Sequence, residues 1–277
     1  MTKIAWVRRE DTVPVSWNVT TGCSPISAGC RNCYAAGIAV TRLKHHPRYA
    51  GLANDGGDGA FWTGEVRCHD ELLAVPLRWR KPHTVFVDSM SDLFHDGVPS
   101  SFIQRVFAVA HSRPEHTFLF LTKRPERMAT EVELFLCFSQ KERQDPPANV
   151  WLGTTVENGA NFGRVDELLK CPAALRFLSL EPLLGPIHIP MDAWPCYDSG
   201  EDIPPEERGE WGLPARIPGI DWVIVGAETG PHARPMELEW AMKIQEQCRD
   251  AGVPFFFKQG PKGVVIPAEL CVREFPR

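Results

Sequence analysis

Seven short apolar runs recur along this chain, and most of them are separated by stretches with helical periodicity. Most runs are nearly continuous in apolar residues, which is typical of parallel strands covered on both faces. They lie at 15–19, 84–88, 116–121, 149–155, 176–181, 221–228 and 254–259. Between them, 101–111, 162–170 and 236–251 repeat apolar residues at helical spacing. This alternation predicts an α/β protein whose parallel sheet is barrel-like or doubly wound, and seven strands suit an open or partial (β/α) barrel.

The length is compatible with a single domain. At 277 residues with 43% hydrophobic content, the chain can bury a full core, and barrels of this size are commonly one unit. We therefore expect one domain over 1–277. Two insertions interrupt the alternation: a Gly-, His- and Asp-rich loop at 44–68, and an irregular surface segment at 190–219 that is rich in Pro and acidic residues. Each is either a lid or specificity loop or a tolerated insertion.

Charge and hydropathy restrict the class of protein. The formal net charge of -5 argues against a strongly basic nucleic-acid binder, although a local basic groove stays possible. No run approaches the roughly 18 apolar residues that a membrane helix needs. The first residues lack the apolar segment of a signal peptide. We expect a cytoplasmic protein with no membrane partner.

Three of the nine cysteines lie close together. Cys23, Cys30 and Cys33 have the spacing C-x6-C-x2-C, directly after the first predicted strand and before a helix-forming run. Thiolates are preferred ligands of iron–sulfur clusters and of zinc. Structural zinc takes four protein ligands, so three cysteines favour a [4Fe–4S] cluster with one iron open to an outside ligand. A zinc site completed by His or Asp is the alternative. A secreted disulfide framework does not fit this distribution.

Polar residues follow almost every predicted strand. Because the carboxyl ends of parallel strands meet at one edge of a sheet, these residues predict a lined pocket. The candidates are Ser89, Asp92, Lys123, Arg124, Thr154, Glu157, Asn158, Glu181, Gly226 and Glu228. Structural salt bridges are the alternative for Glu181 and Glu228. The segment 88–96 offers a second alternative, a divalent metal held by Asp88, Asp92, His95 and Asp96.

The cysteine segment reads W-N-x-x-T-G-C-x-P-x-S-x-G-C-x-N-C-Y. This pattern resembles the phage and bacterial three-cysteine-motif family of radical S-adenosylmethionine (SAM)-like proteins. The likeness extends to 88–99, 121–128, 152–158, 177–185, 223–236 and 254–260, and so covers nearly the whole chain. The spacing departs from the C-x3-C-x2-C that is usual in radical SAM enzymes.

The resemblance implies a partial (β/α) barrel of the radical SAM type. Cys23, Cys30 and Cys33 would hold a [4Fe–4S] cluster, and SAM bound to it would yield a 5′-deoxyadenosyl radical. An electron donor such as a flavodoxin or ferredoxin would reduce the cluster. If the protein is phage-encoded, it would act in the host cytoplasm.

SAM suggests roles for the residues at the strand ends. Its carboxylate suits Lys123, Arg124 or Ser89, and its ribose suits Glu157, Asn158 or Glu181. Its adenine suits backbone contacts near Gly226. We also expect Trp17 to pack against the cluster.

The resemblance to phage proteins makes a nucleotide or nucleic-acid base the leading substrate class, for modification or repair. The basic-aromatic stretches 41–49 and 78–83 are candidates for contacting phosphates and stacking on bases. Two other hypotheses stay open: a non-catalytic zinc-binding phage interaction protein, and a radical SAM enzyme acting on a small metabolite or peptide.

Overall fold

The structure is a computed structural model that describes residues 4–57, 59–138, 145–197, 216–217 and 219–276. Within these ranges, no helix has the length and apolar character needed to cross a membrane.

Seven parallel strands form one sheet. They are β1 (Val13–Trp17), β2 (His83–Val87), β3 (Thr117–Thr122), β4 (Val150–Thr155), β5 (Leu175–Leu180), β6 (Trp222–Gly226) and β7 (Phe255–Gln259). Each strand pairs with the next one along the chain. A doubly wound sheet reverses its strand order at a switch point, whereas this order runs from first to last without reversal. The sheet is therefore a parallel half-barrel, which confirms the predicted α/β class and agrees with an open barrel.

Within the described residues, five α-helices accompany the sheet. They are α1 (Tyr34–Val40), α2 (Ser100–His111), α3 (Pro125–Phe138), α4 (Gly163–Lys170) and α5 (Leu238–Asp250). The helices α2 to α5 bury their apolar sides against the outer face of the sheet, where Phe102 and Met128 join Val85 and Phe118 in the main core. The sequence patterns predicted α2, α4 and α5 within two residues of their bounds, but they did not predict α3.

The inner face of the half-barrel changes character along its depth. The rings of Phe86, Phe177 and Trp222 surround Trp6, with centroids 4.7, 6.1 and 6.3 Å from the Trp6 ring. Gly153 of β4 belongs to this packing, because a Cβ there would lie 2.6 Å from the Phe177 ring. Nearer the carboxyl ends, the small residues Ser179 and Gly226 leave room for polar groups, since Glu181 Oε1 lies 2.4 Å from the position of a Cβ at Gly226.

Both predicted insertions contain short strands. In 44–68, Ala53–Asp55 pairs with Ala60–Trp62, and Arg67–Cys68 pairs with Thr20–Thr21 just before the cysteines. This segment is therefore more than a loop. In 190–219, Cys196–Tyr197 pairs with Arg216–Ile217, so part of that segment is regular. Residues 198–215 and 218 lie outside the described residues.

Removing the Trp6 ring should destabilise the half-barrel. Trp6 is 2% exposed, and Trp6→Ala leaves a large cavity, so we expect the free energy of unfolding to fall by about 3–5 kcal/mol. Urea unfolding followed by circular dichroism measures this loss. Trp6→Phe is the matched control: the indole N–H has no hydrogen-bond partner within the described residues, so retaining a ring should restore much of the stability. Equal stability of Trp6→Ala and wild type would contradict the role of this ring.

Candidate functional site

The cysteine loop, residues 22–33, lies across the carboxyl ends of the strands. It begins beyond β1, and Cys33 is the residue that precedes α1. Cys23 and Cys33 pack against a small buried cluster that includes Ala36, Leu52 and Met90.

The expectation that Trp17 packs against the cysteines is wrong. Its ring lies on the outer face of the sheet, 5.8 Å from the Phe118 ring, and its indole N–H donates to Leu72 O at 2.9 Å. The side chain of this residue therefore belongs to the main core between sheet and helices.

The first attachment of the cysteine loop is at the ends of β2 and β3. The buried Asp92 carboxylate accepts a hydrogen bond from Thr122 at 2.7 Å and pairs with Arg124 at 2.9 Å. Arg124 also donates to Ser24 Oγ at 3.1 Å. On its other side, Ser24 Oγ lies 2.7 Å from His95 Nε2, and His95 Nδ1 accepts from a backbone N–H at 3.0 Å, which assigns the ring proton to Nε2. Burial lowers the pKa of His95, which favours this neutral ring.

The second attachment is at the end of β4. The Glu157 side chain is 0% exposed, and its carboxylate accepts from Ser27 at 2.5 Å and from Arg164 at 2.9 Å. Lys123 Nζ lies 3.4 Å from the same carboxylate. Burial alone raises the pKa of Glu157, but the charge of Lys123, the Ser27 hydrogen bond and the charge of Arg164 together hold the pKa below its usual range. A Cβ at Gly29 would lie 2.3 Å from Glu157 Oε1, so no side chain fits there.

The third attachment is beyond the end of β6. Glu228 accepts hydrogen bonds from Asn32 at 2.9 Å and from Arg234 Nε at 2.9 Å. Arg234 also donates to the backbone of Ala28 at 2.8 Å. Burial raises the pKa of Glu228, but the hydrogen bonds from Arg234 and Asn32 bring it below its usual value. The cysteine loop is thus attached, directly or through an arginine, to buried carboxylates from three parts of the sheet edge.

The three thiols differ in their surroundings. Burial raises the pKa of Cys23 to about 12; the Asp92 charge adds to this and the neighbouring Arg124 opposes it. Cys33 is near enough to act on the same thiol, while Cys30 Sγ lies 3.8 Å from Ser27 Oγ and close to the Arg234 charge. Across the part of the chain that the structure describes, no group of three or more His, Cys, Asp or Glu side chains is arranged to hold a metal ion.

Asp88 lies beneath the start of the cysteine loop. It has a left-handed backbone, with φ 56°, and a buried carboxyl. Asp88 Oδ1 accepts the Thr20 N–H at 2.9 Å, and Oδ2 accepts the Thr20 hydroxyl at 2.8 Å. Thr20 Oγ1 also lies 2.8 Å from Ser91 Oγ, and Ser91 Oγ donates to Thr20 O at 2.9 Å. Burial raises the pKa of Asp88 to about 7, although the hydrogen bonds from Thr20 oppose this rise.

The other predicted residues have different surroundings. Glu181 pairs with Lys258 at 2.8 Å, and a Cβ at Gly226 would lie 2.4 Å from Glu181 Oε1. Asn158 caps a short helical turn by accepting from Ala160 N at 3.1 Å.

Two further candidates make contacts of their own at the strand ends. Thr154 is buried and donates to Thr122 O at 2.9 Å. Ser89 Oγ donates to Asn18 at 3.0 Å, and Ser89 O accepts from the Tyr34 hydroxyl.

A cavity of about 340 Å³ adjoins the cysteine loop. It lies where α3 and α4 begin, and its lining includes Ile26 of the loop together with Lys123, Arg124 and Arg164. Two of the residues predicted to hold the SAM carboxylate, Lys123 and Arg124, thus line one cavity that borders the cysteine loop at Ile26.

The sequence patterns did not assign roles to several residues that attach the loop. Ser27 and Asn32 are fixed letters of the cysteine pattern, and Arg234 lies in the similar segment 223–236. Their position within those motifs was the sequence signal that could have marked them as site residues. Arg164 carried no comparable signal, because it lies on a helix away from any motif.

The comparisons with known proteins give one match. A family model described as "Protein of unknown function (DUF5131)" matches residues 1–267. The chain belongs to the DUF5131 family. No curated protein and no solved structure matched the chain.

Asp88→Asn should remove a pH dependence of stability. The folded-state pKa of about 7 lies above the usual value of 3.8. Between these values the folded chain keeps a proton that the unfolded chain has lost. The free energy of unfolding therefore falls as the pH rises through this window, by up to about 1.4 kcal/mol per pH unit.

Urea unfolding from about pH 4 to pH 7 measures this slope. The amide cannot titrate, and Asn tolerates the left-handed backbone, so the Asp88→Asn variant should show a flatter profile. Asp96→Asn, at an exposed carboxylate on the same segment, is the control and should keep the wild-type slope. Matching slopes for wild type and Asp88→Asn would refute the assignment.

Proposed function

We propose that this protein is a radical SAM iron–sulfur enzyme. The observation that carries the proposal is the place of the cysteine loop: three thiols, at Cys23, Cys30 and Cys33, follow the first strand of a sequentially ordered parallel half-barrel and lie over its carboxyl edge. Carboxyl edges of such sheets are where cofactors and substrates bind.

The chemistry of the donor set fits a [4Fe–4S] cluster. Thiolates are its usual ligands, and three of them leave one iron for the amino and carboxylate groups of SAM. The Arg124 charge beside Cys23 and the Arg234 charge near Cys30 suit an anionic cluster. A bound cluster would draw the three sulfurs together, and that rearrangement of the loop is part of the proposal.

Cys23, Cys30 and Cys33 would hold the cluster, which in its reduced form would supply the one electron needed to split SAM into methionine and a 5′-deoxyadenosyl radical able to take a hydrogen atom from the substrate. An external flavodoxin- or ferredoxin-type donor would provide the electron. The residues of the chain would bind SAM and the substrate, orient them and exclude water from the site. Lys123 and Arg124, which line the 340 Å³ cavity, are suited to the SAM carboxylate.

The three buried carboxylates take another role in this proposal. Asp92 pairs with Arg124, which contacts the cysteine loop, and Glu157 and Glu228 accept hydrogen bonds from the loop itself. We therefore assign these three carboxylates to positioning the loop. Glu181 and Gly226, deeper in the half-barrel, stay candidates for the nucleoside part of SAM. The likeness to phage proteins makes a nucleotide or nucleic-acid base the proposed substrate class.

Anaerobic reconstitution tests the proposal. Wild type should bind about four iron and four sulfide per chain and, after reduction, convert SAM into 5′-deoxyadenosine. Cys→Ser at position 23, 30 or 33 should abolish both properties. Cys271→Ser, which changes an exposed cysteine outside the loop, is the matched control and should retain both.

Stoichiometric zinc with no iron, in protein purified without air, would overturn the proposal in favour of a zinc-binding interaction protein. Cluster uptake should also depend on pH. Because the Cys23 thiol is protonated at neutral pH when no metal is bound, with a pKa of about 12, ligation must release a proton, and uptake should weaken as the pH falls.

A further inference from the structure

Positive charge is concentrated around the cysteine loop, although the chain as a whole is acidic. The chain carries 35 Asp and Glu residues and a net charge of -5, yet none of these acids occurs from Thr12 to Asn54. The same stretch contains Arg31, Arg42, Lys44 and Arg48. The charge segregation places a cationic surface beside the candidate site.

The part of this surface beyond α1 is exposed. Arg42, Lys44, His45 and His46 are all exposed, and neither Arg42 nor Lys44 forms an ion pair or side-chain hydrogen bond with any other residue that the structure describes. Arg48 behaves differently, because it pairs with Glu71 at 3.2 Å. The unpaired cations are therefore available to an outside anion.

This surface is close to the cysteines and packs with them against one buried cluster. The seven residues of α1, which directly follow Cys33, span roughly 10 Å. The surface and the cysteines share one buried cluster, which includes Tyr49, Leu52 and Trp62. Movement of the cationic segment relative to the thiols would have to break this packing.

Exposed rings accompany the cations. Tyr34, at the start of α1, is 53% exposed, and Phe61, on the hairpin that packs against α1, is 45% exposed. The His46 ring lies edge-on to Tyr49 at 5.7 Å. Cations that meet phosphates, next to rings on which bases stack, are the combination by which proteins bind single-stranded nucleic acid.

The second basic-aromatic stretch, 78–83, lacks these properties. It precedes β2 and therefore lies at the amino end of the sheet, opposite the cysteines. Its Trp79 ring is already stacked on His83, with centroids 4.4 Å apart, and packs near His116 at 5.4 Å. Its cations are exposed, but its ring is engaged within the protein.

We propose that the surface formed by Tyr34, Arg42, Lys44, His45 and His46, here called the α1 surface, binds the backbone of a single-stranded nucleic acid and leads it toward the cysteine loop. This inference extends the proposed function, and it rests on that proposal for the substrate class. It assigns the substrate as a polymer and not as a free nucleotide, since Arg42 and Lys44 lie at the far end of α1 from Cys33.

The test measures binding of a labelled single-stranded DNA of about twenty nucleotides to the full chain, by fluorescence anisotropy at several KCl concentrations. The variant Arg42→Gln/Lys44→Gln loses two phosphate contacts. The slope of log affinity against log salt should therefore decrease by about 1.4, and the affinity near 0.1 M salt should fall roughly ten- to thirtyfold. The control Arg80→Gln/Lys81→Gln removes the same charge at the opposite end of the sheet and should bind like wild type.

Three results would overturn the inference. They are the absence of wild-type binding at low salt, equal weakening by both double variants, and competition by polyglutamate as effective as that by unlabelled DNA, which would indicate an acidic protein partner. Circular dichroism establishes that both variants are folded.

Binding is measured before and after cluster reconstitution, which separates this inference from the proposed function. A chain that binds DNA but never cleaves SAM refutes only the proposed function. A chain that cleaves SAM but does not bind DNA refutes only the α1 surface.

Discussion

Buried carboxylates at the sheet edge determine where the cysteine loop lies. A carboxylate that is removed from water is costly unless opposite charge and hydrogen bonds compensate it. Asp92, Glu157 and Glu228 receive that compensation from an arginine each, and also from polar groups of the loop or of its neighbours. Since the carboxylates follow different strands, the loop can satisfy them together only when the half-barrel is formed. The position of the thiols is therefore a property of the whole sheet.

The interior of the half-barrel supports this arrangement from below. Aromatic rings around Trp6 fill much of it, so the sheet has a packed interior as well as a packed exterior. Towards the carboxyl ends, Ser179 and Gly226 replace the large side chains. The Glu181 carboxylate approaches the backbone at Gly226 because no side chain is there. Packing and polar chemistry thus occupy different depths of one sheet.

The sequence predicted the sheet well because its strands are buried on both faces and read as apolar runs. The helix α3 was not predicted, although Pro125 at its first position and the spacing of Met128 and Val132 are typical of a helix start and an amphipathic helix. The predicted strand-end residues do lie along one edge. Their partners could not be predicted, because a pattern places a residue at an edge but does not give the path of the loop that crosses it. Trp17 illustrates this limit, since the register of its strand decides which face of the sheet carries its side chain.

The interval between Cys23 and Cys30 has a geometric consequence. Within it, Ser24 contacts Arg124 beyond β3, and Ser27 contacts Glu157 beyond β4. The six intervening residues therefore bridge adjacent strands, which lie about 4.8 Å apart. The separation of the two sulfurs is thereby coupled to the curvature of the sheet at β3 and β4. Any ligand that flattens or tightens that curvature would change the sulfur–sulfur distance without touching either cysteine.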